Sequence, residues 1–395
     1  MDIEQGRITR IHDYDMDFKY LKSRMTDLRE KVPSGVIIPV IESDLDSPAI
    51  DKIIDGLNHC DYLKKIFIAL SSTAGEGCDK AAKSFSKLEV PHEILWCNNQ
   101  KVRDLLGELR KKGLDVTKMR GKGKDLWIAL GVASLELNAI AIHDADITTY
   151  SEFLPTKLLY SIVEPRLDFW FAKGYYARIS LERRRIYGRV YRLFINPLLA
   201  AIQKKLAQSS SFIHYLQSFR YPLSGEMAIT TDIALNLRIP SDWGLEIGIL
   251  AELYRNASNK RICEVDLGFF DHKHKPINPK ELLYTGEASL ITLLRTLTET
   301  EAIDISETSL LSLQVTYRRF AQDRIRQYYA DAICNNLEYN RHSEETAVEA
   351  LSKTIMTAGK RYIKNPTSAQ MPDWLRTISA ISDAREKMRN AAILK

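Results

Sequence analysis

The stretch Ala139-Ile140-Ala141-Ile142-His143-Asp144-Ala145-Asp146-Ile147 decides the fold. Its four leading residues are all apolar, the pattern of a strand buried on both faces of a parallel sheet. The run stops at Asp144 and Asp146, two acids two positions apart where strand gives way to loop. Ligands of open α/β sheets bind beyond the carboxyl ends of the strands. Hard cations prefer oxygen ligands, so an acid pair there suits a divalent cation that bridges a diphosphate. The same spacing also occurs in loops where one Asp caps a helix and the other is solvated.

Upstream, Val36–Ile41, Ile66–Leu70 and Glu93–Cys97 read as further buried strands. Each is followed by a helical pattern: Pro48 to about Cys60, a segment with Ala81, Ala82 and Phe85 inside, and Val102–Lys112. Strands alternating with helices predict right-handed parallel crossovers, so residues 34–150 read as the nucleotide-binding half of a doubly wound fold. Pro39 has no N–H to give a central ladder and is expected near the end of its strand. Gly121-Lys122-Gly123-Lys124 precedes a helix expected over Asp125–Leu137. Such a turn can offer backbone N–H groups and an ammonium to a phosphate. It is not a P-loop, because the Walker spacing is missing, and a flexible basic turn fits it as well.

Downstream of about residue 168 the alternation weakens. Phe169–Arg178 reads as an aromatic strand, and Arg178, Arg183, Arg184, Arg185, Arg189 and Arg192 follow, interleaved with Tyr187 and Tyr191. Arginines in a cluster suit bidentate binding of carboxylate or phosphate, although a solvated face has the same composition. No RNA-module signature accompanies them. Pro222-Leu223-Ser224-Gly225-Glu226 is a turn carrying a carboxylate, and Trp243-Gly244-Leu245-Glu246-Ile247-Gly248 opens a helix. A strand over Ile262–Phe270 leads to Asp271-His272-Lys273-His274, a possible source of a nitrogen ligand or simply a basic surface loop. The expected domains are a helical segment over 1–33 (Phe18, Leu21, Met25 and Leu28 at helical spacing), a catalytic domain over 34–285 divided at 150, and a helical extension over 286–395 that packs on the domain or forms a dimer.

Composition narrows the classes. The 56 basic and 51 acidic residues of this 395-residue chain leave a net charge of +5. That excess is too small and too mixed to argue for a nucleic-acid partner. Five scattered cysteines without a C-x-x-C pair argue against a disulfide framework or a thiolate zinc site and fit a cytoplasmic protein. The charged N-terminus has no apolar signal core. The most apolar stretch, Leu126–Ile142, is interrupted by Glu136 and Asn138, so no membrane span is expected.

In combination, the strand ending in Pro39-Val40-Ile41-Glu42, the Gly121-Lys122-Gly123 turn, Asp144-Ala145-Asp146, Pro222–Glu226, Trp243–Gly248 and a late histidine resemble one family. It is the glucosyl-3-phosphoglycerate synthase family of GT-A-fold retaining glycosyltransferases. Arg7-Ile8-Thr9-Arg10-Ile11-His12-Asp13 is similar to the start of its prokaryotic members. The resemblance runs from residue 1 to about 285, and mannosylglycerate synthases, which share the acid pair and late histidine, are the near alternative.

The resemblance implies an α/β GT-A fold, with a mixed sheet flanked by helices and a helical C-terminal extension. It further implies a UDP-glucose or GDP-glucose donor, a 3-phosphoglycerate acceptor (D-glycerate in the alternative), Mg²⁺ or Mn²⁺, and a homodimer. By position, Pro39, Val40, Ile41, Glu42, Ser43, Ser71 and Lys122 would hold the donor's nucleotide. Asp144, with Ala145, would reach its ribose or base side. Asp146 and His272 would bind the metal. Trp243, Gly244, Leu245 and Glu246 would line the sugar, with Glu246 accepting hydroxyl hydrogen bonds. Gly188, Arg189, Val190 and Tyr191 would bind the acceptor, with Arg189 on its phosphate or carboxylate and His274 assisting. Tyr191 departs from the mycobacterial pattern, which has a small hydroxyl residue there.

Two other classes compete. One is a nucleotide-sugar-binding protein without turnover. The other is a nucleotidyltransferase, whose usual Gly-rich signature after the first strand is missing from Glu42-Ser43-Asp44-Leu45-Asp46.

Overall fold

The computed structural model describes residues 4–180, 182–206, 209–272, 279–366 and 370–394. Its strands are β1 (Thr9–Ile11), β2 (Ser34–Ile41), β3 (Lys65–Ser71), β4 (His92–Trp96), β5 (Ala139–Ile142), β6 (Phe171–Ser180), β7 (Arg185–Ile186), β8 (Met227–Thr230) and β9 (Ile262–Phe270). They form one sheet in the order β1-β9-β6-β8-β5-β2-β3-β4, with β7 paired to β6. The β5-β2-β3-β4 side is parallel throughout, as the strand–helix alternation predicts. Only β8 runs against its neighbours on both sides, which makes the sheet mixed.

The pleat sorts the core. Ile37, Phe67, Leu95 and Ile140 point to one face with the helices Gln100–Lys111, Lys122–Ala133 and Leu245–Asn256. Val36, Ile38, Ile66, Ile68 and Ala141 point to the other, against Phe18–Leu28, Pro48–Asn58 and Phe153–Val163. Adjacent residues of one strand thus feed opposite cores, as period-two alternation requires.

Pro39 sits within β2, opposite Ala69, and not at its end. Its missing N–H is tolerated because of direction. The Ile37 carbonyl faces β5 and accepts from His143 N, while the β2–β5 pairing stops at Ile37. Two residues on, the Pro39 nitrogen faces the same side, where β5 has already turned away.

Other boundaries move too. The Lys122 helix begins three residues before the expected Asp125 and ends at Ala133. The 285/286 division falls inside the helix Pro279–Glu301. The N-terminal segment contributes β1 to the sheet in addition to its helix. Helix Glu307–Cys334 packs on Asn196–Lys205, and Arg341–Lys364 packs on Glu307–Cys334 and Pro279–Glu301, whereas residues 370–394 return to the nucleotide-binding half. There Ile393 bridges Leu95, and Leu394 N donates to Ile94 O at 2.8 Å, covering the outer edge of β4. Among the described residues no helix is long and apolar enough to cross a membrane.

Candidate active site

The carboxyl ends of β2, β3 and β5 meet the ends of β6 and β9, and the predicted residues collect there. β5 delivers Asp144 and Asp146. Two residues past β9, His272 forms an isolated antiparallel bridge with Ile147, and Thr148 N donates to Asp271 O at 2.9 Å. His272 is therefore the backbone neighbour of the residue that follows Asp146. Its buried ring lies 5.8 Å, centroid to centroid, from Tyr176, which stacks on Phe270 at 4.1 Å.

Lys122 enters from the opposite side. Gly121, at φ 106°, starts the helix, and a Cβ there would lie 2.7 Å from Ser241 O. Gly123 N donates to the same carbonyl at 3.1 Å. This clamps the helix start against the Ser241–Gly244 segment and places Lys122 Nζ 2.6 Å from Asp144 Oδ1 and 3.3 Å from Glu246 Oε1. Gly225 closes the site from below: a Cβ there would fall 2.3 Å from Asp144 Oδ2.

Charge is unevenly matched. Burial works against the Lys122 ammonium, but Asp144 and Glu246 outweigh it and hold it charged. Burial likewise opposes the Asp144 carboxylate, and Lys122, His272 and Arg178 bring its pKa below the usual value. Among the described residues no Lys or Arg forms an ion pair with Asp146. Burial, then Asp144 and Asp44, push its pKa up to about 6 against the opposing pull of Arg178 and Lys122. A divalent cation would supply matching positive charge here, and a carboxylate plus an imidazole suits Mn²⁺ or Mg²⁺ completed by diphosphate oxygens. The donor set fits such an ion. Among the described residues no group of three or more Asp, Glu, His or Cys side chains is arranged as a ready metal cage.

No family profile matches the chain. Whole-chain comparison decides the matter: it is 46% identical to the glucosyl-3-phosphoglycerate synthase of Methanococcoides burtonii, over 100% of this chain and 98% of that protein. The chain belongs to the glucosyl-3-phosphoglycerate synthase family. The enzyme of the same name from Persephonella marina is 35% identical over 98% of this chain and 97% of its own length. In fold, the chain is similar to the crystal structure of glucosyl-3-phosphoglycerate synthase from Mycobacterium tuberculosis in complex with Mn²⁺, UDP-glucose and phosphoglyceric acid. The TM-score is 0.53 at 20% identity, over 76% of this chain and 90% of that one. As a member of the family it is a glycosyltransferase with the GT-A fold.

The structure sorts the residues that the family resemblance singled out. Asp144, Asp146, Lys122, Glu246 and His272 converge. Val40, Ala145 and Leu245 have side chains in the core, so they can offer a ligand only backbone atoms. Ile41 and Trp243 are exposed at the rim. Glu42 is exposed and bonded to Ser72, Ser71 accepts from Asn98 Nδ2 at 3.2 Å, and Ser43 is exposed beside them. Gly188, at φ 76°, carries the chain past Arg178 and Tyr221, and Gly244 sits against Thr292. Val190 and Tyr191 pack on the core. Tyr191 does not leave its hydroxyl open: its ring meets Tyr221 at 5.3 Å, and its oxygen accepts from Asn196 Nδ2 at 3.2 Å. Arg189 is half engaged, giving Nε to Glu344 Oε1 at 2.7 Å and Nη2 to Ser343 Oγ at 2.9 Å. His274 lies outside the described residues.

Sequence reasoning passed over Lys173 and understated Glu226. Both are fully buried beneath the acid pair. Lys173 Nζ donates to Ser224 O at 2.7 Å, and burial pushes its pKa down to about 8. Glu226 accepts from the Tyr176 hydroxyl at 2.7 Å; burial, then Asp144, push its pKa up to about 7. The available signal was a lysine inside the otherwise apolar Phe171-Ala172-Lys173 run. A charge on a two-faced buried strand needs a purpose.

Proposed function

We propose that this enzyme moves glucose from a nucleoside-diphosphate glucose to 3-phospho-D-glycerate with retention, in the presence of Mg²⁺ or Mn²⁺. The observation that carries the reading is the bridge between Ile147 and His272, which brings an imidazole to the end of β5 beside Asp146. UDP-glucose, the donor held by the M. tuberculosis enzyme, is the proposed donor, with GDP-glucose as the comparison.

Asp146 and His272 would hold the cation. When bound, it neutralises charge on the departing diphosphate. Lys122, kept protonated by Asp144 and Glu246, adds a fixed positive charge where negative charge develops. Glu246 faces the sugar, accepts its hydroxyl hydrogen bonds and favours the positive character gained at the anomeric carbon. Arg189 and the Gly188 turn receive the acceptor's anionic groups. Its attacking hydroxyl passes the proton to the leaving diphosphate on the same face of the sugar.

The test is a donor–acceptor matrix read by product mass, with D-glycerate beside 3-phosphoglycerate. Nucleoside diphosphate and glucosyl-3-phosphoglycerate are expected. Pyrophosphate release would indicate a nucleotidyltransferase, and donor binding without turnover a binding protein.

A further inference from the structure

The acceptor segment pairs with β6 through β7 and is also fastened to the C-terminal helices. Glu338 N donates to Arg184 O at 2.5 Å, and Arg184 Nε donates to Asn336 O at 2.9 Å, in the turn between helices Glu307–Cys334 and Arg341–Lys364. Arg192 donates through Nε to Tyr187 O at 2.8 Å, across the Gly188 turn, and its guanidinium lies 4.8 Å from the Tyr328 ring. Between Val190 and Ile195 the backbone makes one π-helical turn, which adds a residue to the turn and rotates what precedes it.

Glu344 is the keystone of this fastening. It is buried in the first turn of Arg341–Lys364, a helix capped by Asn340. Its Oε1 accepts from Arg189 Nε at 2.7 Å, and its Oε2 lies 3.1 Å from Arg192 Nη2. One carboxylate thereby fixes two guanidinium groups. The Ser343 hydroxyl occupies Arg189 Nη2 from one direction, so the guanidinium is held at its Nε edge, and Nη1 makes no hydrogen bond among the described residues. A guanidinium held this way cannot swing, and its orientation is settled before any anion arrives.

We infer that Glu344 is a positioning residue for the acceptor, and that the C-terminal helices thereby set the preference for a phosphorylated over an unphosphorylated glycerate. This rests on the proposal that Arg189 meets the acceptor's anionic group. Glu344 acts through Arg189 and touches no substrate.

Steady-state kinetics of E344Q, with UDP-glucose and Mn²⁺, test it. Gln keeps the shape and one acceptor oxygen but loses the charge. The acceptor KM is expected to rise about tenfold, the loss of one charge-assisted hydrogen bond. The kcat and the donor KM should stay within about twofold, and the kcat/KM ratio of 3-phosphoglycerate to D-glycerate should fall in step with the acceptor KM. S343A, a milder change, should raise the acceptor KM a few fold and serves if E344Q does not fold. An unchanged acceptor KM in both variants overturns the inference. So does a uniform loss of kcat and of both affinities, which is the mark of a purely structural residue. R189A separates the two layers: an unchanged acceptor KM there removes the underlying assignment, whereas a raised KM in R189A with none in E344Q and S343A removes only the role of Glu344.

Discussion

Lys122 connects a backbone constraint to a chemical one. The clamped helix start fixes where its ammonium can go, and two carboxylates fix its charge. K122A should therefore lower kcat by about 10²–10³-fold at saturating substrates, the range seen when one preorganised donor is removed from developing negative charge. Initial rates at saturating donor check this, and a near-normal kcat would contradict it. Glu226 makes a different prediction. Its folded pKa, about 7, lies above the ordinary 4.5, so the folded state holds this proton more tightly than the unfolded chain does. Its contribution to stability is complete below pH 4.5 and is lost as pH rises through 7. Once ionised, the group costs about 3 kcal/mol relative to its protonated form. E226Q should keep the Tyr176 hydrogen bond and flatten the decline. Metal-free thermal melts at pH 5.5 and pH 8 should show the variant gaining on the parent only at pH 8.

At the scale of elements, the Lys122 helix is buried on every side beyond its first residue and needs cover all round. The chain's last residues supply part of it. Trp374 stacks on Trp127 at 4.3 Å, its Nε1 donates to Trp127 O at 2.9 Å, and Trp127 Nε1 donates to Pro372 O at 2.7 Å. Gly131 leaves the room, since a Cβ there would lie 2.0 Å from the Trp374 ring. W374A should cost about 3–5 kcal/mol, measured by urea denaturation. A loss under about 1 kcal/mol would mean that the strap is only lightly docked. This packing was illegible in the sequence, because Trp374 reads as one apolar residue in a helical pattern until its partner some 240 positions earlier is known. The parallel side of the sheet was legible, since strands buried on both faces announce themselves as continuous apolar runs such as Ile66–Leu70. Pro39 was misplaced because a one-dimensional pattern does not say which neighbouring strand ends first.

For the molecule as a whole, the site is assembled from segments far apart in the chain: Lys122, Asp144–Asp146, Glu246 and His272 come together only when β5, β8, β6 and β9 lie side by side. The acid pair was visible because its strand is unmistakable. The late histidine was visible only through family resemblance, since nothing local distinguishes His272 within Asp271-His272-Lys273-His274. The grip of Glu344 on Arg189 was invisible, because it depends on a helix 155 positions away. What unites the account is one shared ion between Asp146 and His272. Titration calorimetry of Mn²⁺ into the enzyme in the presence of UDP tests this most directly, with thermal melts to confirm folding. Even partners one step removed from a metal are worth about 10–100-fold in affinity. The account predicts that one Mn²⁺ binds per chain, and that D146N and H272A each weaken it at least about tenfold and abolish glucosyl transfer. Parent-like Mn²⁺ affinity in either folded variant would contradict it.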